Sequence, residues 1–232
     1  MTRHDLKEQL QHDEFTDAVS NVVSYTQSHR QQVIRWVVIA AVVLLTAGGI
    51  WGFLKYQKTQ RQNDLAAAMD VVSAQVGPAN DFIKTYPTEA AHDAASQKAL
   101  SDVVAKDGSS EEGMIALYYL ASLKAKTDQA ASEPDFKRVA DSGGSVAPLA
   151  KIALAQLYVG EKKTAEAQDL LRSIVNNPTD LVSKAQAQVL LAQMEASGSP
   201  QDSKATLKMI GADDSKRQAV SRAVDAVSAQ LK

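Results

Sequence analysis

Four histidines, His4, His12, His29 and His92, are the side chains of this 232-residue chain best suited to proton transfer near neutral pH or to metal ligation. They are scattered, and no two stand at a metal-ligand spacing. Two carboxylate pairs, Glu111-Glu112 and Asp213-Asp214, have the residue types of an acid/base dyad. Both fall at expected helix starts, where the positive end of the helix dipole accounts for them as caps. The chain has no phosphate-cradling glycine loop and no G-x-S-x-G nucleophile turn. It has no cysteine, which excludes disulfides, thiol catalysis and cysteine-ligated zinc or iron–sulfur sites. The expectation is a protein without a catalytic site, metal or cofactor, whose work is contact with other molecules.

The element that must position everything else is Trp36 to Leu54, nineteen residues without a charge. As an α-helix it spans roughly 28 Å, close to the ~30 Å hydrocarbon core of a bilayer. Arg30 and Arg35 border it on one side and Lys55, Lys58 and Arg61 on the other, with Trp36, Trp51 and Tyr56 near the headgroup levels. A buried core helix is usually shorter and seldom has basic residues at both borders. A cleaved signal peptide keeps its apolar core within the first 15–30 residues or so and follows it with small residues. Here 35 residues precede the core and Lys55-Tyr56-Gln57-Lys58 follows it, so a permanent membrane anchor is expected. Within it, Gly48 and Gly52 form a G-x-x-x-G pair that flattens one helix face and offers a surface for pairing in a homo-oligomer.

Net charge is −2, so neither a nucleic-acid surface nor a polyanion partner is indicated. Orientation is not settled by charge, because two basic residues before the span against three after it is hardly an asymmetry. Aromatic residues make up 5% of the chain, and alanine is abundant, which favours helices over sheets.

The expected organisation has four parts: a polar tail over 1–35, the span over 36–54, membrane-proximal helices over 55–108, and repeats with a capping helix over 109–232. In the tail, Phe15, Ala18, Val22 and Tyr25 mark one helical face, either a plain surface helix or a docking helix for a membrane partner. Helix is expected to continue over 57–76 to the break at Gly77-Pro78, with a short turn or helix over 81–86 and a further helix over 88–106.

From Ser109 the pattern repeats. Leu120-Ala121-Ser122-Leu123, Leu154-Ala155-Gln156-Leu157 and Leu191-Ala192-Gln193-Met194 lie 34 and 37 residues apart, each near the end of an apolar helix and each followed by a turn and a shorter helix. Helix–turn–helix units at a period near ~34 are what a tetratricopeptide array produces. The middle copy, with Leu154, Ala155, Tyr158, Ala167, Leu171 and Ile174, resembles that repeat best, although Gly160 arrives two positions early and Pro178 one early. Ser132-Glu133-Pro134-Asp135 and Ser199-Pro200-Gln201-Asp202 read as serine N-caps with proline in the first turn. Pro148 opens the helix holding Leu154. A last helix over 214–231, with Val220, Val224, Val227 and Leu231 on one face, is expected to cap the array.

The fold class expected is therefore all-α, a single transmembrane helix followed by a tetratricopeptide-like α-solenoid. Repeat domains bind along the surface of their first helices, which by the repeat alignment includes Tyr118, Ser122, Gln156 and Gln193. That groove is either open to a partner or filled by the chain's own helices.

A polar tail with a helical stripe, HDEFTDAVSNVVSYTQSHRQQV, a single span, a linker and degenerate tetratricopeptide helices make up nearly the whole chain. This layout resembles the YfgM-like family, ancillary subunits of the bacterial SecYEG translocon. The resemblance implies an inner-membrane protein with a cytoplasmic amino terminus and a periplasmic repeat domain. It implies partners in the Sec translocon, a membrane-anchored periplasmic chaperone and exported client proteins. Another reading of the same layout is a tetratricopeptide adaptor for a different envelope assembly, in cell-wall synthesis, division or outer-membrane biogenesis.

Overall fold

The computed structural model of the chain describes residues 30–78, 83–210 and 218–231. The tail stripe from Phe15 to Tyr25, three of the histidines, and Asp213-Asp214 lie outside the described residues. The chain divides into two compact units between Thr59 and Gln60.

The first unit holds most of α1 (Arg30–Val72), a helix of 43 residues. It is long and apolar enough to cross a membrane, and none of its most apolar stretch is buried. A core helix would show the reverse. Trp36, Leu44, Leu45 and Trp51 are each more than 60% exposed, and so large an apolar surface marks a membrane or partner contact. Thr46 hides its hydroxyl by donating to the carbonyls of Val42 and Val43 at 2.9 and 3.0 Å, which suits an apolar medium. Lys55 Nζ stands 5.2 Å from the centre of the Trp51 ring. Around Gly48 and Gly52 an added Cβ would meet nothing within 4 Å, so that face is open.

In the second unit α1 stops at Val72, earlier than residues 57–76 predict. His92 is the reason. Its Nε2 lies 3.0 and 3.1 Å from the carbonyls of Val71 and Val72, and since carbonyls only accept, that nitrogen carries the proton and caps the helix end. Beyond the cap, β1 (Gln75–Val76) pairs in parallel with β2 (Thr85–Tyr86), where a turn or helix was expected over 81–86. The two-residue ladder continues with Gly77 N–H donating to Tyr86 O at 2.9 Å.

Eight helices follow among the described residues: α2 (Glu89–Asp107), α3 (Glu111–Thr127), α4 (Gln129–Asp141), α5 (Ala147–Gly160), α6 (Thr164–Asn176), α7 (Lys184–Gly198), α8 (Pro200–Lys208) and α9 (Gln218–Gln230). Each from α2 to α8 packs chiefly on its sequence neighbours, and α9 packs on α7. This is the nearest-neighbour stacking of a helical repeat array. Four of these helices start where side-chain acceptors stand: Thr88, Ser110, Asp128 and Ser183 each accept an N–H of the first turn. Ser183 and Gln186 form a reciprocal capping box.

The repeat is written in burial. Ala121, Ala155 and Ala192 are each 0% exposed, beside Leu120, Leu154 and Leu191, so the three aligned motifs occupy the same place in successive units. The second helices repeat as well: Ser132, Ala167 and Ser203 are fully buried, and each is followed four and seven residues on by apolar residues of the core, Phe136 and Val139, Leu171 and Ile174, Leu207 and Ile210. Small side chains at these crossings let the paired helices approach, and the larger ones fill the gap between units.

This corrects the reading of Ser132 as an N-cap. Asp128 caps α4 by accepting from Ala131 N–H at 3.0 Å, four residues upstream, and Pro134 lies inside the helix. Ser132 instead donates to Gln129 O at 2.7 Å, hiding its hydroxyl at the crossing. At the second serine, Pro200 does open α8 after Ser199, but the Ser199 side chain makes no cap bond. Pro148 stands in the first turn of α5, as expected.

Candidate functional site

The residues that could do chemistry do structural work. His92 closes α1. Glu112 is buried at the start of α3 with Arg61 at 3.5 Å, while Glu111 faces solvent. Among the described residues, no group of three histidines or carboxylates could hold a metal ion.

A groove lies between the first helices of two successive units. On α5, Leu149, Ile152, Gln156 and Val159 recur every three or four residues and so share one face. Leu149 and Ile152 join Gln186 and Val189 of α7 around a cavity of about 570 Å³. Gln156 and Val159 join Gln193 and Ser197 around a second of about 480 Å³. Leu190 and Gln193 line both, so the two are one continuous trough, and residues pair along it in the order of parallel helices. Ala219, Val220 and Ala223 of α9 wall the first cavity only. The chain's last helix therefore fills part of the concave side and leaves the Gln156 end to solvent.

The walls are mostly aliphatic. Their polar members are chiefly amides and hydroxyls, Gln156, Gln186, Gln193, Ser183 and Thr164. A glutamine amide both donates and accepts, as a peptide group does, so it can pair with main chain of any sequence. Asp180, in the loop before α7, is the single charged residue among the described residues lining the trough, and Leu181 beside it is exposed.

Of the four residues expected on the groove, Gln156 and Gln193 are brought together here, both exposed. Tyr118 and Ser122 line neither cavity. The Tyr118 ring packs edge-on against Phe136 at 5.9 Å, and burial raises its pKa above 10.0. Ser122 donates back to the Tyr118 carbonyl at 2.8 Å. The Tyr118 ring belongs to the packing of α3 on α4, and Ser122 bonds within α3. Leu149, Ile152, Asp180 and Leu190 were not singled out from the sequence. The three- and four-residue spacing back and forward from Gln156 would have found the α5 pair; nothing local marks Asp180.

On the side of the second helices, Glu195 is 3% exposed and fully occupied. Thr206 donates to its Oε2 at 2.7 Å, and Arg172 Nη2 stands 3.6 Å from its Oε1. These contacts tie α6, α7 and α8 together. Tyr158, at the end of α5, donates to Glu133 of α4 at 3.1 Å; burial, then this bond, raises its pKa above 10.0. The described walls of the groove can hold an apolar ligand by contact. Comparison with family models, with curated proteins and with solved structures finds no match to this chain.

Proposed function

We propose that this protein is a membrane-tethered scaffold that binds other proteins of the bacterial secretory route, with its repeat groove in the periplasm. The observation that carries the reading is the aliphatic, amide-lined trough between α5 and α7, on a chain whose α1 is long and apolar enough to cross a membrane. α1 acts as a permanent anchor in the inner membrane. Tethering confines the groove near its partners and raises their effective concentration, so weak contacts suffice. The partners are the Sec translocon, a membrane-anchored periplasmic chaperone and exported chains, in keeping with the layout shared with YfgM-like proteins.

The experiment is in-cell crosslinking from a photoreactive residue placed at Gln193. Crosslinks to translocon or periplasmic chaperone components support the proposal. Crosslinks confined to cell-wall, division or outer-membrane machinery would transfer the protein to another envelope assembly. Release of the full chain from membranes by alkaline carbonate would refute the anchor.

A further inference from the structure

We infer that the trough between α5 and α7 selects an extended, apolar stretch of about four or five residues carrying a basic residue at the end that meets Asp180. The inference rests on the protein-binding reading above and adds the chemistry of the partner.

The length follows from the helix. Val159 lies ten helical steps beyond Leu149 on α5, roughly 15 Å, and extended chain advances about 3.3 Å per residue. The character follows from the walls. Leu149, Ile152, Val159 and Leu190 face whatever enters, and burying apolar side chains against them is the main favourable contribution. An extended main chain brings unpaired N–H and C=O groups that would be costly to bury alone. Gln156, Gln186 and Gln193, spaced along the trough, can pair with them and read no sequence.

The charge preference follows from what lines the cavities. Among the described residues that line the two cavities, Asp180 is the charged one. It stands at one end, in the loop before α7, and lines the same cavity as Leu149, Ser183 and Gln186. A lysine or arginine there completes an ion pair, whereas an acidic residue meets like charge. A segment that is apolar within and basic at its border is the occupant of complementary charge; an acidic peptide or a free carboxyl terminus is not.

The test uses the full chain in nanodiscs of zwitterionic lipid, with binding to empty discs subtracted. Fluorescence anisotropy compares two labelled peptides sharing a core of leucine, valine and alanine, one flanked by lysine and one by glutamate. The lysine-flanked peptide should bind about fivefold tighter, the scale of one partly exposed ion pair gained and one repulsion avoided. Asp180→Lys should reverse that order. Gln156→Arg with Gln193→Arg changes two exposed positions of good helix propensity, and should weaken the lysine-flanked peptide while strengthening the other. Equal binding of the two peptides by the wild type, unchanged binding in the double variant, or crosslinks from Gln193 that join two copies of this chain would each overturn the inference. The outcomes separate from those of the scaffold proposal. Peptide discrimination with no secretory partner in cells would sink only the latter, and secretory partners without discrimination only the former.

Discussion

Replacing Lys162 by glycine should stabilise the repeat array. Lys162 has φ 63°, a left-handed conformation, and is the one non-glycine residue with positive φ among those described. It sits one residue past the cap of α5. Its N–H bonds to Val159 O at 3.1 Å and that of Lys163 to Tyr158 O at 2.8 Å, the paired closure in which the residue just beyond a helix turns left-handed and is usually glycine. An L-residue there costs about 1–2 kcal/mol, and glycine removes that cost while loosening the unfolded chain by about 0.5–1 kcal/mol. The net gain is roughly 0.5–1 kcal/mol, or about 1–4 °C in Tm for a domain of this size. Two residues upstream, Gly160 lies in the last turn of α5 with open space around it, so Gly160→Ala should add a similar gain from helix propensity. The two together move glycine to the place the repeat pattern assigns to it. Thermal unfolding of the full-length protein in mild detergent, followed by far-ultraviolet circular dichroism, measures both. Lys162→Ala keeps the left-handed cost and should show no gain. If alanine stabilised as much as glycine, or glycine lowered Tm, the backbone account would be refuted.

Other expectations follow from single contacts. In Gly113→Ala the new Cβ would lie 2.0 Å from the Asp107 carbonyl oxygen and 2.8 Å from Gly108 Cα, both main chain; the turn between α2 and α3 must open, at about 3 kcal/mol in denaturant melts. Thr206→Val leaves Glu195 Oε2 buried without its 2.7 Å donor and should cost about 1–3 kcal/mol. Combining it with Glu195→Met should recover most of that loss, because the buried charge goes too. Tyr158 gives a pH signature: its folded-state pKa is raised above 10.0 by burial and then by Glu133, so the unfolded chain loses the phenolic proton first. Its contribution is full below pH 10.0 and is lost as pH rises through the folded value, so Tyr158→Phe should flatten the fall in Tm on the alkaline side.

Much of the array was legible because its signal repeats. The Leu-Ala pairs at 120–121, 154–155 and 191–192 are buried as the alignment requires, and Gln156 and Gln193 reach the same groove. The second helices were legible only in the middle copy. Ser132 and Ser203 hold the place that Ala167 holds, and Ser132, followed by Glu133 and Pro134, also reads as a helix start. At Ser132 the tertiary crossing overrode that local reading, and Asp128 took the cap. Tyr118 and Ser122 line neither of the two cavities, and the alignment of first helices does not say which neighbour a side chain meets; the Tyr118 ring meets Phe136.

By itself the sequence determined the long apolar helix, the helical class, the absence of cysteine chemistry and the period of the repeat. These are properties of composition and of spacing along one chain, and they need no knowledge of what touches what. Only the tertiary structure decided that α1 ends under His92, that Glu195 is held by Thr206 and Arg172, and that α9 walls one end of the groove and leaves the other open. Each of these joins residues eleven or more apart in sequence, where side-chain geometry and burial select the partner and local periodicity carries no information.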